Sequence, residues 1–341
     1  MSAKTNDITT ISFSSGGVKA TGHMGVLMHL IDSGVTANVK SWYGCSAGSV
    51  HAFIGALGVS STWIKDCCRL FDTRLLFKTE AALVMDFMNV WGVTSGKELV
   101  ETVGTFIDTW EPGASTWTFA DLKRERGMFL GITATNLSRR ELTLFSVDTH
   151  PTMKIMDAIR ASSSIPFVYT PWIDSRGDVY VDGAMIEQCP WFHIQQKKET
   201  LVVACSRSQI FGPMKEGLTI ETFFEYCSRI VVLQRTRLTR ERPTQWIAVE
   251  NETVATLNFD ATLEDRICLL EDGIAAAITW TSSRTQGSRP LSEDRHTSSL
   301  TRPTSEEVTS DSRQSQIPLP SLAPSQGRRE HTGRSFRRWS V

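Results

Sequence analysis

The sequence predicts an α/β fold in which a largely parallel sheet is covered by helices on both faces. Short β-branched segments alternate with segments of helical apolar spacing along the first 280 residues. This alternation is typical of parallel strands that are connected by helices. The composition agrees, because 40 % of the 341 residues are hydrophobic and 21 % are charged, as in an ordinary globular protein.

The individual elements are predicted from the spacing of apolar residues. The region 61–93 is apolar and has a helical pattern throughout, so we expect it to form a cap or insertion over one end of the sheet. We predict strands at 8–13, 39–43, 128–135, 141–147, 179–181, 201–205 and 245–249. We predict helices at 22–33, 47–57, 97–107, 154–161, 218–240 and 263–279.

A change of composition near Trp280 divides the chain into two parts. Residues 281–341 are rich in Ser, Thr, Pro, Gln and Arg, with ten arginines against six acidic residues. Such a segment buries too little apolar surface to offset the entropy of ordering it. We therefore expect one folded domain at 1–280 and a disordered tail at 281–341.

Charge, cysteine content and hydropathy exclude several classes of protein. A net charge of −1 gives no electrostatic drive towards nucleic acid, so no nucleic-acid partner is expected. Seven scattered cysteines without a C-x-x-C pair indicate free thiols of an intracellular protein and no zinc site. Because there is neither a signal peptide nor an apolar run long enough to cross a bilayer, we expect a soluble or peripherally membrane-associated protein.

The clearest local motif is a G-x-S-x-G sequence formed by Gly44, Ser46 and Gly48. It lies between a predicted strand and a predicted helix, which is the context of a nucleophile elbow. Such a turn exposes the serine hydroxyl, and a side chain at either glycine position would collide with the strand or the helix. The motif therefore predicts Ser46 as a nucleophile, and the alternative is a turn of small residues that only joins two elements.

A serine nucleophile needs a base, and Asp182 is a better candidate than any of the histidines. It ends a short β-branched strand and precedes the small residues Gly183 and Ala184, so we expect it at the same sheet edge as the elbow. A carboxylate there can accept the hydroxyl proton directly. The loop histidines His150 and His193 lie in no distinctive motif, and the remaining five fall in helical patterns or in the tail. The alternative is an Asp that only forms a turn.

A glycine-rich loop follows the first strand and contains Gly16, Gly17, Val18 and Lys19. Backbone N–H groups in such a loop can bind an oxyanion. A dinucleotide-binding fingerprint would need further glycines at positions 15 and 20, and the segment is not a P-loop. No metal and no organic cofactor are expected.

These segments together resemble the patatin-like phospholipase family. The resemblance covers about 8–207, and its motifs occur in the family's order. They are the oxyanion loop and following helix at 14–27, the elbow at 44–48, an Ala-Ser-x-x-x-Pro segment at 161–166 and an Asp-Gly segment at 182–190.

The resemblance implies a three-layer α/β/α sandwich and a catalytic dyad of Ser46 and Asp182. It implies a lipid acyl hydrolase domain at 1–280, with the 16–19 loop as the oxyanion hole. The implied substrate is an acyl ester of a glycerolipid or phospholipid at a membrane or micelle surface.

The sequence is also compatible with three alternatives. Ser15 and Ala20 stand where the family has glycines, which leaves the alternative of a catalytically weak or silent module that binds lipid or protein. Acyl transfer to an alcohol would use the same dyad. The arginine-rich end at 328–339 either contacts anionic lipid or is a solvated tail.

Overall fold

The computed structural model describes residues 7–205, 243–251 and 253–285. The strands in this part of the chain are β1 Thr10–Phe13, β2 Ser41–Cys45, β3 Gly92–Thr94, β4 Phe129–Asn136, β5 Glu141–Phe145, β6 Phe167–Tyr169, β7 Trp172–Ile173, β8 Val179–Asp182, β9 Thr200–Cys205 and β10 Gln245–Val249. The α-helices are α1 Thr21–Asp32, α2 Ala47–Leu57, α3 Ser61–Leu70, α4 Ala81–Met85, α5 Phe87–Val90, α6 Lys97–Trp110, α7 Phe119–Arg126, α8 Ile155–Ser162 and α9 Leu263–Thr285.

Eight of these strands form one mixed sheet, which is flanked by helices. Its order is β10-β9-β1-β2-β4-β8-β7, and β5 also pairs with β4. The five strands from β10 to β4 are parallel to one another, whereas β5 and β8 each run antiparallel to β4. The predicted mostly parallel α/β fold is confirmed.

The two faces of the sheet carry different side chains because strand residues alternate in direction. Phe13 and Val203 contribute to the main hydrophobic core, which also contains side chains of α1, α2, α6 and α8. Tyr43 and Val202 point to the opposite face, where they pack with Trp191. The parallel register places Phe13 beside Val203 on one face, and Ser12 between Val202 and Tyr43 on the other.

The structure differs from the predicted elements at several places. The helical region 61–93 ends in the short strand β3, which pairs with β6 in a separate two-stranded sheet. Helix α9 continues to Thr285, beyond its predicted end at 279 and past the predicted domain boundary. The predicted helix at 218–240 and the rest of the tail, 286–341, lie outside the described residues. In the part of the chain that the structure describes, no helix is long and apolar enough to cross a membrane.

Helices α1 and α9 pack against each other through glycines. A Cβ atom on Gly25 would overlap with the carbonyl oxygen of Leu270, and one on Gly273 would overlap with the carbonyl oxygen of Gly22. The backbones of the two helices therefore approach more closely than any side chain would allow. This contact fixes α9 against α1, and the preceding residues 253–261 lie beside the start of α1, where the Val18 N–H donates to the Thr256 carbonyl.

The close approach predicts an asymmetric response to added methyl groups. Gly273→Ala should lower the free energy of unfolding by about 1–3 kcal/mol, because its new methyl group meets backbone atoms that cannot move aside. Denaturant unfolding measures this change.

Gly104→Ala in α6 is the matched control, because its new methyl group would lie 3.2 Å from the Ser115 side chain. This variant should be neutral or stabilised by up to about 1 kcal/mol, since alanine favours helix. Equal effects of the two substitutions would contradict the proposed close approach.

Candidate active site

The turn between β2 and α2 has the geometry of a strained elbow. Ser46 has a φ of 53° and a ψ of −127°, a conformation that costs a residue with a side chain about 1–3 kcal/mol. A Cβ on Gly44 would overlap with the carbonyl of Gly48, and a Cβ on Gly48 would overlap with the carbonyl of Ser14. The turn therefore requires a glycine two positions before the serine and another two positions after it.

Ser46 and Asp182 are in direct contact within a buried site. The Ser46 Oγ donates a hydrogen bond of 2.6 Å to Asp182 Oδ2, and the backbone N–H of Ala184 donates to Oδ1 at 2.8 Å. Both residues of the pair are only 5 % exposed. Burial raises the pKa of Asp182 to about 6, although the two hydrogen bonds act to lower it.

Strand β4 aligns Ser46 and Asp182 with each other, because the strands that end next to Ser46 and at Asp182 pair with adjacent residues of β4. Cys45, the residue before the serine, pairs with Thr133 of β4, and Asp182 pairs with the next residue, Ala134. Asp182 reaches this level because β8 runs antiparallel to β4 and ends here. The sequence predicts the shared sheet edge but not the direction from which β8 approaches it.

The glycine-rich loop lies beside the elbow, but its four predicted residues have different roles. Within the described residues, the structure gives the backbone amides of Gly16 and Gly17 no hydrogen-bond acceptor. The Val18 amide donates to the Thr256 carbonyl at 2.9 Å, and Lys19 Nζ donates to the Asn251 carbonyl at 3.0 Å. The amides of Gly16 and Gly17 are therefore the free candidates, whereas Val18 would have to break a bond to contribute.

The two departures from the family's glycine pattern fit the loop without strain. Ala20 has a φ of −64°, and Ser15, whose amide donates to Gln188 O at 2.7 Å, has no positive φ. The loop position with a left-handed backbone is Gly17, at φ 52°. A serine at 15 and an alanine at 20 thus impose no left-handed strain on the loop.

A serine-rich segment at the end of α8 contacts both members of the pair. The Ser46 N–H donates to Ser162 Oγ at 2.7 Å, and this hydroxyl donates to the Thr133 carbonyl at 2.7 Å. The Asp182 N–H donates to the Ser164 carbonyl at 2.9 Å. Residues 162–164 therefore fix the backbone of the nucleophile candidate and of the carboxylate.

Arg160 in turn fixes this segment. Its Nη1 donates to Ser164 Oγ at 2.6 Å, and its other nitrogens donate to the carbonyls of Ser95 and Thr170. It is 7 % exposed, and burial lowers its pKa to about 10, so it stays protonated at neutral pH. Residues 161–166 match a motif of the family, but the sequence alone predicts no role for Ser162 or Arg160. Three consecutive serines after an apolar helix were the available signal.

The described histidines do not contact the pair. His23 and His51 are buried side by side with ring centroids 5.4 Å apart, and burial lowers the pKa of each. No histidine in the described ranges hydrogen-bonds to Ser46 or Asp182. The same ranges contain no group of three or more side chains suited to holding a metal ion.

The raised pKa of Asp182 predicts how stability depends on pH. A buried carboxyl group with a raised pKa binds its proton more tightly when the chain is folded. The associated stability is fully present below about pH 4 and is lost as the pH rises through about 6. Between pH 4 and pH 7 the native chain should lose about 2 kcal/mol relative to Asp182→Asn. Denaturant unfolding at the two pH values measures this difference. An equal change in the free energy of unfolding for the two proteins would contradict the prediction.

The hydroxyl of Ser162 predicts a second stability effect. Ser162→Ala leaves the buried N–H of Ser46 without its acceptor, so the free energy of unfolding should fall by about 1–3 kcal/mol. The neighbouring Ser163→Ala is the control, because the structure records no side-chain hydrogen bond for Ser163 to the residues it describes. Thermal unfolding of both variants decides the matter, and similar losses would argue against a specific role for Ser162.

Comparisons with known proteins find two viral relatives and a solved structure with the same fold. A probable lipid hydrolase (463L) of Invertebrate iridescent virus 6 is 24 % identical over 185 residues, which cover 53 % of this chain and 63 % of that protein. The uncharacterized protein R571 of Acanthamoeba polyphaga mimivirus is 24 % identical over 279 residues, or 79 % of this chain and 92 % of that protein. Among solved structures, VipD from Legionella pneumophila shares the fold, with a TM-score of 0.56 and 18 % identity over 82 % of this chain and 67 % of that one. The family model for the patatin-like phospholipases matches residues 11–193, more than half of the sequence. The chain therefore belongs to the patatin-like phospholipase family.

Proposed function

We propose that this chain is a serine carboxylic-ester hydrolase that cleaves fatty-acyl esters of phospholipids or related glycerolipids. Membership of the family and the similarity to a viral lipid hydrolase support lipid hydrolysis in general. The observation that carries the specific proposal is the 2.6 Å hydrogen bond from Ser46 Oγ to the buried carboxylate of Asp182. It joins a nucleophile to a base without an intervening histidine.

In the first half of the proposed reaction, Ser46 Oγ attacks the ester carbonyl carbon while its proton passes to Asp182 Oδ2. The carbonyl oxygen becomes an oxyanion, which the amides of Gly16 and Gly17 stabilise. The tetrahedral intermediate then collapses, and the bond to the alcohol oxygen breaks. Asp182 returns its proton to that oxygen, so that the lysolipid or other alcohol leaves and an acyl-enzyme remains.

In the second half, a water molecule replaces the alcohol. Asp182 accepts a proton from the water as its oxygen attacks the acyl carbon. The second tetrahedral intermediate collapses, the bond to Ser46 Oγ breaks, and the serine recovers its proton from Asp182. The fatty acid is released, and the enzyme returns to its starting protonation state.

The environment of Asp182 suits a group that both accepts and donates a proton. With a pKa of about 6, the carboxyl group is mostly ionised at pH 7, yet its conjugate acid is stronger than water by many orders of magnitude. The backbone bond from Ala184 leaves Oδ2 directed at the serine. One oxygen is thus held by the protein while the other exchanges the proton.

An apolar cavity beside α2 supports an acyl-chain substrate. Val50 and Ile54, which follow Ser46 by one and two helical turns, both line it. Most of the remaining lining comes from α1, from residues 63–71 and from α6, and Arg266 of α9 adds a charged group. We propose that the part of the fatty-acyl chain nearest the ester lies in this cavity, whose volume of about 100 Å³ is too small for a whole chain, while the ester bond lies at Ser46.

The proposed substrate lies in a membrane or micelle, and the proposed location of the enzyme is intracellular. Free thiols are typical of intracellular proteins, and the six cysteines that the structure describes are all free. Contact between the C-terminal arginines and anionic lipid falls outside the described residues and stays a prediction.

The proposal predicts the loss of ester hydrolysis in two variants. Ser46→Ala and Asp182→Asn should each lower kcat/KM for phospholipid by at least about 10³-fold, because one removes the nucleophile and the other its base. Fatty-acid release from mixed phospholipid and triglyceride substrates measures this loss. The native chain and Asp182→Asn should both fold, as circular dichroism will verify.

Asp148 is exposed, so Asp148→Asn is the control and should retain native activity. A fluorophosphonate probe should label the native chain and leave Ser46→Ala unlabelled. If the native chain is both inert and unlabelled, the proposal is contradicted, and the result favours a catalytically silent binding module. Acyl-lysolipid products in the presence of added lysolipid would instead identify acyl transfer.

A further inference from the structure

Helices α4 and α5 present an apolar surface that no described part of the chain covers. None of the residues from Ala81 to Val90 is buried. Met85 is 90 % exposed, Met88 is 81 % exposed, and Trp91 at the end of α5 is 54 % exposed. We call residues 81–91 the apolar surface.

An isolated exposed apolar side chain needs no explanation, but a contiguous group of them does. Val84, Met85, Met88 and Trp91 belong to one short segment, and all are exposed. The group extends to Phe167 of β6, which is 42 % exposed and whose ring centroid is 6.2 Å from that of Phe87. Such a group marks a surface that meets something apolar.

A short pair of strands connects the apolar surface to the candidate active site. It is followed by β3, whose Gly92 pairs with Phe167 of β6. Strand β6 begins three residues after Ser164, whose carbonyl accepts the Asp182 amide. One short strand pair thus separates the apolar surface from the segment that fixes the base.

Residues 80–91 carry few charged groups, and this segment fits a neutral lipid surface. Its acidic groups are engaged within the segment or its neighbours: Glu80 accepts a 2.6 Å hydrogen bond from the Ser95 amide, and Asp86 accepts one from the Asn89 side chain. The apolar surface itself carries Asp86 as its one charged residue. There is no basic cluster of the kind that anionic lipid attracts, so apolar contact would dominate the attraction.

We propose that the apolar surface docks onto the lipid aggregate that contains the substrate, and this inference rests on the proposed function. Helices of five and four residues are too short to span a bilayer, which takes about 20 residues. They lie at the interface, with Met85, Met88 and the Trp91 ring among the acyl chains. The Trp91 indole N–H already donates to the Met88 carbonyl at 3.0 Å, so its ring can leave water with that N–H satisfied.

The test measures vesicle binding separately from catalysis. The full chain carrying Ser46→Ala, which cannot consume the lipid, is sedimented with phosphatidylcholine vesicles. Adding Met85→Ser and Met88→Ser should weaken binding about tenfold or more, since two large apolar side chains are lost. Ile278→Ser on α9, which changes a 47 % exposed side chain, is the control and should bind as the parent does. Raising sodium chloride from about 0.1 to 0.5 M should change binding less than about twofold, because salt screens only charges.

Four outcomes would overturn the inference. They are an absence of vesicle binding by the parent, equal binding by the parent and the double variant, binding that salt abolishes, and a parent dimer that the double variant dissociates while vesicle binding is unchanged. The last two would assign the binding to the basic tail and the surface to self-association. Hydrolysis of a soluble short-chain nitrophenyl ester by the chain with Ser46 intact tests the proposed function independently. Failure of that assay with vesicle binding retained would reject the hydrolase and not the docking surface.

Discussion

A carboxylate buried away from water is the constraint on which the rest of this site depends. Asp182 is shielded almost completely, and an ionised group there is costly unless donors face both of its oxygens. The elbow supplies one donor and the turn after β8 supplies the other. The strained backbone at Ser46 is maintained because Ser162 and the close approach of Gly48 to β1 leave that turn no relaxed alternative.

Much of this arrangement could be predicted from the sequence, because it rests on local steric rules. Glycines two positions before and after Ser46 are needed by the tight turn itself, and Asp182 before a glycine ends a recognisable strand. The antiparallel direction of β8 was not predictable in this way, since β-branched residues suit either direction. Neither was the role of Ser162, which depends on a contact across 116 positions of the chain.

The same distinction explains the other differences between prediction and structure. The helical pattern of 61–93 was identified correctly, but β3 at its end is only three residues long and is formed by pairing with β6. The Val18 amide was a reasonable oxyanion donor by its position in the loop. Its bond to Thr256 comes from a segment about 240 residues later. Patterns of apolar spacing contain no information about such partners.

The position of β1 within the sheet has a consequence for how the protein is made. Thr10 pairs with Ser41 on one side and with Thr200 on the other, so β1 lies in the sheet interior. One of its edges therefore stays unpaired until β9, about 190 residues further along the chain, has been synthesised. Pairings this distant in sequence slow folding and expose an unpaired strand in the meantime. Until β9 covers it, that edge is available for strand pairing with other chains.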